Sequence, residues 1–248
     1  MNSTIETILQ HRSIRKFKAE KLGDEQINTI VDAASRASTS SYMMAFSIIG
    51  VKDQRKKKIL AEISNQPYVQ ENGHLLLFCA DLYRNSIHAD DKQYESMLPN
   101  LENTEHFLVA SIDAALAAQN AAIAAESLGL GICYIGSIRN NIQLVNDTFD
   151  LPQHVIPLFG LAIGVPNHSP ETKPRLPKEA FYFEDNYVDK SKLGTELEEF
   201  DQTIKQYYEN RSSNKRIDSW TKQMVRVLSN EKRTDVGPFI QSKQYNRR

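Results

Sequence analysis

Two short cationic segments stand far apart in the chain: His11-Arg12-Ser13-Ile14-Arg15 near the start and Lys173-Pro174-Arg175 in its last third. Guanidinium forks, a lysine charge and a serine hydroxyl are the donors a phosphate dianion requires, because that dianion is costly to desolvate unpaired. Pro174 and Pro177 stiffen the backbone around Arg175. Taken alone, each segment reads more readily as solvated surface charge. Ser38-Thr39-Ser40-Ser41 supplies further hydroxyls, and by itself is an ordinary polar loop or cap.

Other chemistries lack their signatures. No P-loop, Gly-x-Ser-x-Gly or His-Glu-x-x-His occurs. The six histidines show no ligand spacing, so no metal site is expected. Gly129-Leu130-Gly131 lies between a helical run and a strand-like run. A dinucleotide fingerprint needs the opposite order, so this triplet is a helix stop.

The elements that position these residues are organised around His106–Gly136. Nine of the sixteen residues from Ala110 to Ala125 are alanine, which favours helix and lets a neighbouring helix approach closely. With so few polar interruptions, the helix belongs in a domain core or in a subunit contact. Ile132-Cys133-Tyr134-Ile135 then reads as a short buried strand. Upstream, Ser3–Glu6 fits a capping box opening a short helix, and Asp24 is placed to cap a second one over Ile27–Ala34. Phe46–Val51 and Leu75–Cys79 are strands, the latter apolar enough for the middle of a sheet. Between them a helix over Gln54–Ile63 carries Arg55-Lys56-Lys57-Lys58 on its wet side. Arg84–Asn103 reads as a polar loop with at most a helical turn. A helix near Asn141–Phe149 and a strand over Val155–Val165, containing Pro157, follow. After a proline-punctuated arm come polar helices near Leu193–Tyr208 and Ser219–Leu228, then a charged tail. About four strands separated by helices predict a three-layer α+β domain over 1–248, with residues from about 190 onward an extension embracing the core or a partner.

Bulk composition narrows the class. Net charge is −1, which argues against a nucleic-acid binder. Asp113 and Gln119-Asn120 split the only long apolar run, so no membrane span is expected. The opening residues lack the apolar core of a secretory leader. Cys79 and Cys133 lie in apolar strand-like runs and read as buried thiols rather than a disulfide, which places the chain in the cytoplasm.

In combination the motifs are more specific. His11-Arg12-Ser13-Ile14-Arg15, the Ser38–Ser41 loop, Gln66, Ala124–Gly131, Tyr134-Ile135-Gly136 with Arg139-Asn140-Asn141, Leu151-Pro152-Gln153-His154 and Lys173–Pro177 occur in this order. The pattern resembles the nitroreductase superfamily, in particular its NADPH-preferring flavin reductase and oxygen-insensitive nitroreductase subfamily. The resemblance extends to Arg211-Ser212-Ser213-Asn214-Lys215-Arg216.

That resemblance implies a nitroreductase-like fold with a mixed or antiparallel central sheet, in an intertwined homodimer holding FMN tightly but not covalently. It assigns His11, Arg12, Ser13, Lys173 and Arg175 to the phosphate and ribityl end, and Arg15 to N1 and the C2 carbonyl. Ser38, Thr39, Ser40 and Gln66 would contact the cofactor, in part from the partner subunit. Tyr134, Ile135, Gly136 and Ser137 would lie along the flavin, although Ile132 and Ser137 stand where relatives often have glycine. Arg211 and Arg216 would meet the 2′-phosphate of NADPH, a transient co-substrate. The implied activity is ping-pong electron transfer from NADPH through FMN to nitroaromatics, quinones, free flavin or similar acceptors. A cation beside N1 favours the anionic reduced flavin, so no acid–base dyad is needed. The alternatives are a non-catalytic flavin-binding or sensing module, and a superfamily enzyme dedicated to one metabolite.

Overall fold

Strand β2 (His74–Asp81) is buried along its whole length. It lies inside a sheet of order β1-β2-β4-β3, with β1 spanning Phe46–Val51, β3 Gly131–Ile135 and β4 Val155–Gly164. All three pairings are antiparallel. Side chains alternate between faces along β2. Leu75, Leu77 and Cys79 pack with Leu60 and Ala61 of α3 (Gln54–Ser64) and Val145 of α7 (Ile142–Thr148). Leu76 and Phe78 pack instead with Ile30 and Ala34 of α2 (Asp24–Ser35) and the alanines of α6 (Thr104–Ser127). A strand apolar on both faces needs a helical layer on each, which is the expected three-layer α+β arrangement. This computed structural model describes residues 1–211 and 215–248; Ser212, Ser213 and Asn214 of the C-terminal motif lie outside the described residues.

Along α6, Ala110, Ala114, Ala117, Ala118, Ala121, Ala122 and Ala125 face inward, while Leu108, Ile112 and Leu116 stay exposed. By length and composition α6 does meet the measure of a membrane span, contrary to what its polar interruptions predict. Its alanine face is spent on internal packing against the sheet and α2. Gly129 adopts φ 75°, the left-handed stop expected of it.

Pro157 is accommodated by a bulge. Phe78 pairs with Phe159 and Cys79 with Pro157, leaving Leu158 as the extra residue of β4. The Leu158 carbonyl accepts a hydrogen bond from Arg139 Nη1.

Several local expectations are corrected. Asn2, not Ser3, caps α1 (Ser3–Leu9) by accepting from the Ile5 amide. Gly23 occupies the cap of α2, and Asp24 is its first helical residue. Arg84–Asn103 is not a loop: a short α4 (Tyr83–Ser86) precedes α5 (Asp91–Leu101), which Asp90 and Gln93 cap reciprocally. Its inner face is only Tyr94, Met97 and Leu101, too sparse a stripe to stand out among polar neighbours. Lys57 is buried, so the basic run of α3 is not uniformly wet. The charged tail contains α10 (Val236–Ser242), and Phe239 and Tyr245 join the apolar cluster around Leu82, Leu101 and Ile156.

Residues 1–170 and 233–248 form one compact unit; 171–232 form another. The second contains α8 (Lys190–Asn210), capped by Asp189, and α9 (Trp220–Leu228), capped by Ser219. Its apolar centre is Phe200, Ile204 and Tyr208, with Leu176, Tyr207 and Trp220 around them.

Candidate functional site

The first cationic segment runs along the sheet edge, tied to it by isolated bridges. Ile14 N donates to Ile132 O at 2.8 Å, Lys18 N to Val165 O at 2.9 Å, and Asn167 N returns to Lys16 O at 2.9 Å. Ser13 bridges to Ile132 and Phe17 to Pro166, along the free edge of β3 and the end of β4. Ile14 is seated on Gly131, where a Cβ would come within 2.6 Å of its side chain. That glycine is therefore required for close approach as well as standing just past the helix stop. With Ile14 turned inward, Arg15 is exposed.

Arg15 lies close enough to bear on the charge of Tyr68, which lies in the turn Pro67–Val69 after Gln66. Cys133 Sγ is 3.5 Å from Tyr68 Oη. Burial pushes the Tyr68 phenol well above its ordinary range, Cys133 adds to the rise, and Arg15 opposes it. Tyr68 stays a neutral hydroxyl at physiological pH. Among the described residues neither Arg12 nor Arg15 has a carboxylate partner, so both cations remain available to an anion. His11 is different: its Nδ1 lies 2.7 Å from Glu126 Oε1, and that carboxylate offsets any charge the ring carries. Arg12 and Glu126 line a cavity of about 350 Å³ with Gly131, His168 and Ser169.

The end of β3 contributes the next group. Tyr134 is partly exposed and stands edge-on to Phe159 at 5.7 Å, with its hydroxyl 3.4 Å from Gln119 Oε1. Ile135 is buried, so it offers only backbone to a ligand. Gly136 opens the turn Gly136–Asn141, which also carries Ser137. A Cβ at Gly136 would lie 3.3 Å from the Arg139 guanidinium that supports the bulge. Among the described residues the side-chain amide of Gln66 makes no hydrogen bond, while its main-chain amide is held by Ala61 O at 3.0 Å.

The hydroxyl-rich loop is anchored elsewhere. Asp113, buried in α6, accepts from the Thr39 hydroxyl at 2.5 Å, the Ser40 amide at 3.1 Å and the Ala45 amide at 3.0 Å. Thr39 Oγ1 also accepts from Met44 N at 2.7 Å. Its hydroxyl is thereby committed within the loop, and the side chains of Ser38 and Ser40 are the ones left for a ligand. Ser41, Tyr42 and Met44 all have positive φ (50°, 60° and 47°), a local strain that Asp113 helps to hold.

The remaining predicted cations lie in the 171–232 unit. Lys173 Nζ lies 5.9 Å from the Tyr208 ring centroid, and Arg175 Nη1 donates to Lys173 O at 2.8 Å. Arg216 stacks on Tyr208 at 4.1 Å and Arg211 lies 5.8 Å from it. Arg216 also donates to Tyr208 Oη at 2.7 Å and Gln223 Oε1 at 2.9 Å, and its Nε is 3.4 Å from Asp218. Burial alone would raise the Tyr208 phenol; Lys173 and Arg216 outweigh it and draw the group below its ordinary value. Arg211, Arg216 and Lys173 thus converge on one aromatic ring, a grouping suited to phosphate recognition.

Tyr68, Cys133, Glu126 and Asp113 are absent from the candidates read off the sequence. Asp113 alone carried a legible signal there, a lone carboxylate in an alanine helix.

The comparisons with known proteins bear on this arrangement. Residues 8–165 match the profile described as "Nitroreductase family" and residues 173–248 that described as "Nitroreductase family, C-terminal domain". The chain is 49% identical over 249 residues to an FMN reductase (NADPH) of Bacillus subtilis, with all of both chains covered. It is 43% identical over 231 residues to an NADPH-dependent oxidoreductase of Staphylococcus saprophyticus, covering 91% of each. Among solved structures it superposes on a B. subtilis nitroreductase with a TM-score of 0.95 at 48% identity, over 99% of this chain and 100% of the other. It also superposes on the NADPH:FMN oxidoreductase of Vibrio harveyi complexed with NAD+, with a TM-score of 0.87 at 36% identity over 100% of both.

Proposed function

The chain belongs to the nitroreductase family, and from that premise we infer how its own residues serve the activity. It is an FMN-dependent NADPH oxidoreductase of the nitroreductase and flavin reductase type. The observation that carries the site assignment is Arg15, exposed beside Tyr68 with no carboxylate partner among the described residues. A resident anion would satisfy it, so the donor set fits FMN.

When bound, FMN supplies the two-electron chemistry, taking reducing equivalents from NADPH and yielding them in a second half-reaction to nitroaromatics, quinones, free flavin or similar acceptors. The chain's residues do the rest. Arg15 would place positive charge at N1 and the C2 carbonyl, where negative charge accumulates on reduction. Arg12 and Ser13 would meet the phosphate and ribityl end, with His11 oriented by Glu126. Tyr134, Gly136 and Ser137 would border the ring, Ile135 by its backbone alone. Gln66, Ser38 and Ser40 would complete the contacts, with Thr39 acting through the loop it braces. Arg211 and Arg216 would take the NADPH 2′-phosphate.

The proposed assembly is a homodimer. Leu108, Ile112 and Leu116 of α6 and Ile5, Ile8 and Leu9 of α1 are exposed apolar side chains on two packed helices. A self-complementary contact would remove that surface from water. We read 1–248 as one nitroreductase-like domain working in the cytoplasm, where NADPH is supplied and buried thiols such as Cys79 and Cys133 stay reduced.

The deciding experiment is a visible spectrum of the purified protein, then anaerobic NADPH titration and an acceptor panel. Flavin absorbance that bleaches with NADPH and returns with quinone or a nitroaromatic is expected. Protein that neither carries nor takes up FMN would refute the reading, and bleaching without electron return would leave a binding module.

A further inference from the structure

A cavity of about 690 Å³ opens at the end of the sheet where β1 and β2 meet α3 and the N-terminus of α2. None of the residues assigned to FMN lines it. Its volume lies within the range of small-molecule sites. Two of its polar residues are almost wholly buried. Lys57 is 3% exposed, and its ammonium nitrogen contacts only Asn72 among the described residues, Oδ1 at 2.9 Å and O at 3.4 Å. His74 is 4% exposed, and its Nε2, lying against Gly50, has no hydrogen-bond partner among the described residues. A buried imidazole nitrogen left unpaired is a cost that a native fold does not carry without reason.

The charges around the cavity define what could satisfy it. Lys52 and Asp24 pair at 3.1 Å and cancel. Lys18 and Lys21 are balanced by Glu20 and Glu71. The surplus is one positive charge, at Lys57. Phe17, Leu22, Ile27 and Val51 supply apolar wall. The α2 cap is Gly23, which has no side chain to satisfy the first-turn amides. One net positive charge, with three carboxylates on the lining, suits a monoanion better than a phosphate dianion.

We propose that this cavity binds a small organic monocarboxylate, its head group held by Lys57 and His74 and its hydrocarbon body by Phe17, Leu22 and Ile27. Burial lowers the Lys57 amine to about 8 and, with Lys57 and Lys52 nearby, the imidazole to about 4. A bound carboxylate would pair with the charged Lys57 and accept from a neutral His74 N–H. The site is independent of the flavin assignment.

The test uses the FMN-loaded protein with hexanoate as probe, an aliphatic acid with no ring to stack on flavin. Two signals are followed: the His74 imidazole NMR resonance, assigned with His74→Gln, and protection of Lys57 from reductive methylation read by mass spectrometry. A saturable His74 shift with matching protection of Lys57, at unchanged flavin absorbance, is expected. Lys57→Met should weaken hexanoate by at least about tenfold. Since the protection assay uses the unaltered chain, the test survives a variant that folds poorly. No saturable shift, a shift without protection of Lys57, or a response to inorganic phosphate but not hexanoate would each overturn the proposal. Loss of flavin binding would bear on the FMN reading instead.

Discussion

The Thr39 hydroxyl donates to Asp113 across 2.5 Å, fixing a loop with three left-handed non-glycine residues to the central helix. Asp113→Ala would strip the partner from Thr39 and from the Ser40 and Ala45 amides together. Hydrogen bonds to a charged group are worth about 1.5–3 kcal/mol each, though not additively. A loss of about 3 kcal/mol in urea-unfolding stability is expected, with weaker FMN retention.

Arg15→Ala should leave the fold intact, because the side chain is exposed and its neighbour Ile14 holds the segment in place. Losing one charge-assisted contact of about 1.5–3 kcal/mol corresponds to roughly 30–60 mV for a two-electron couple. The bound flavin should become harder to reduce by that amount. Spectroelectrochemistry measures it, and an unchanged midpoint potential would remove the N1 role.

Arg211→Ala should raise the apparent KM for NADPH about tenfold while leaving that for NADH nearly unchanged. Arg216→Ala should do the same and also loosen α9, since Arg216 holds Gln223 and Asp218. Equal effects on the two nucleotides would dismiss the 2′-phosphate assignment.

Much of the architecture was legible because it rests on strong patterns. The apolar run of β2 and the turn at Gly129 each leave one physical option, and the alanine stripe of α6 leaves only a packed helix. Helix α5 was not legible, since three inward residues carry it and its cap lies in a polar stretch. Burial of Lys57 was hidden for another reason: Asn72, its partner, is fifteen residues away, in the bend before β2. At the site, cationic residue types were readable, whereas Tyr68 became relevant only once the bridged edge segment brought Arg15 near it. Residue type likewise could not show that Thr39 faces Asp113 or that Ile135 faces inward.

His74 gives a pH signature. Its folded pKa, about 4, lies below the 6.5 of a free imidazole because burial and the charges of Lys57 and Lys52 outweigh the opposing pull of Asp24. Between those values the unfolded chain binds more protons, so this group makes stability fall as pH drops from 6.5 toward 4. Screening by the nearby opening leaves an effect of about 1–2 kcal/mol. His74→Gln should flatten the stability profile in that window, as measured by urea titration at stepped pH.

Tyr245→Phe should cost about 1.5–3 kcal/mol, because the phenol donates to His154 O at 2.7 Å and accepts from Leu82 N at 3.1 Å inside the core. Thermal unfolding would register the loss.

Tyr245 also orders events during synthesis. The strand end at Leu82 and the loop at His154 leave the ribosome long before the phenol that joins them exists. Throughout that interval the pocket it fills is open and greasy, and a nascent chain stalled short of α10 would be a natural client for chaperones. Closure of this part of the core therefore waits on a side chain made 91 residues after the loop it joins.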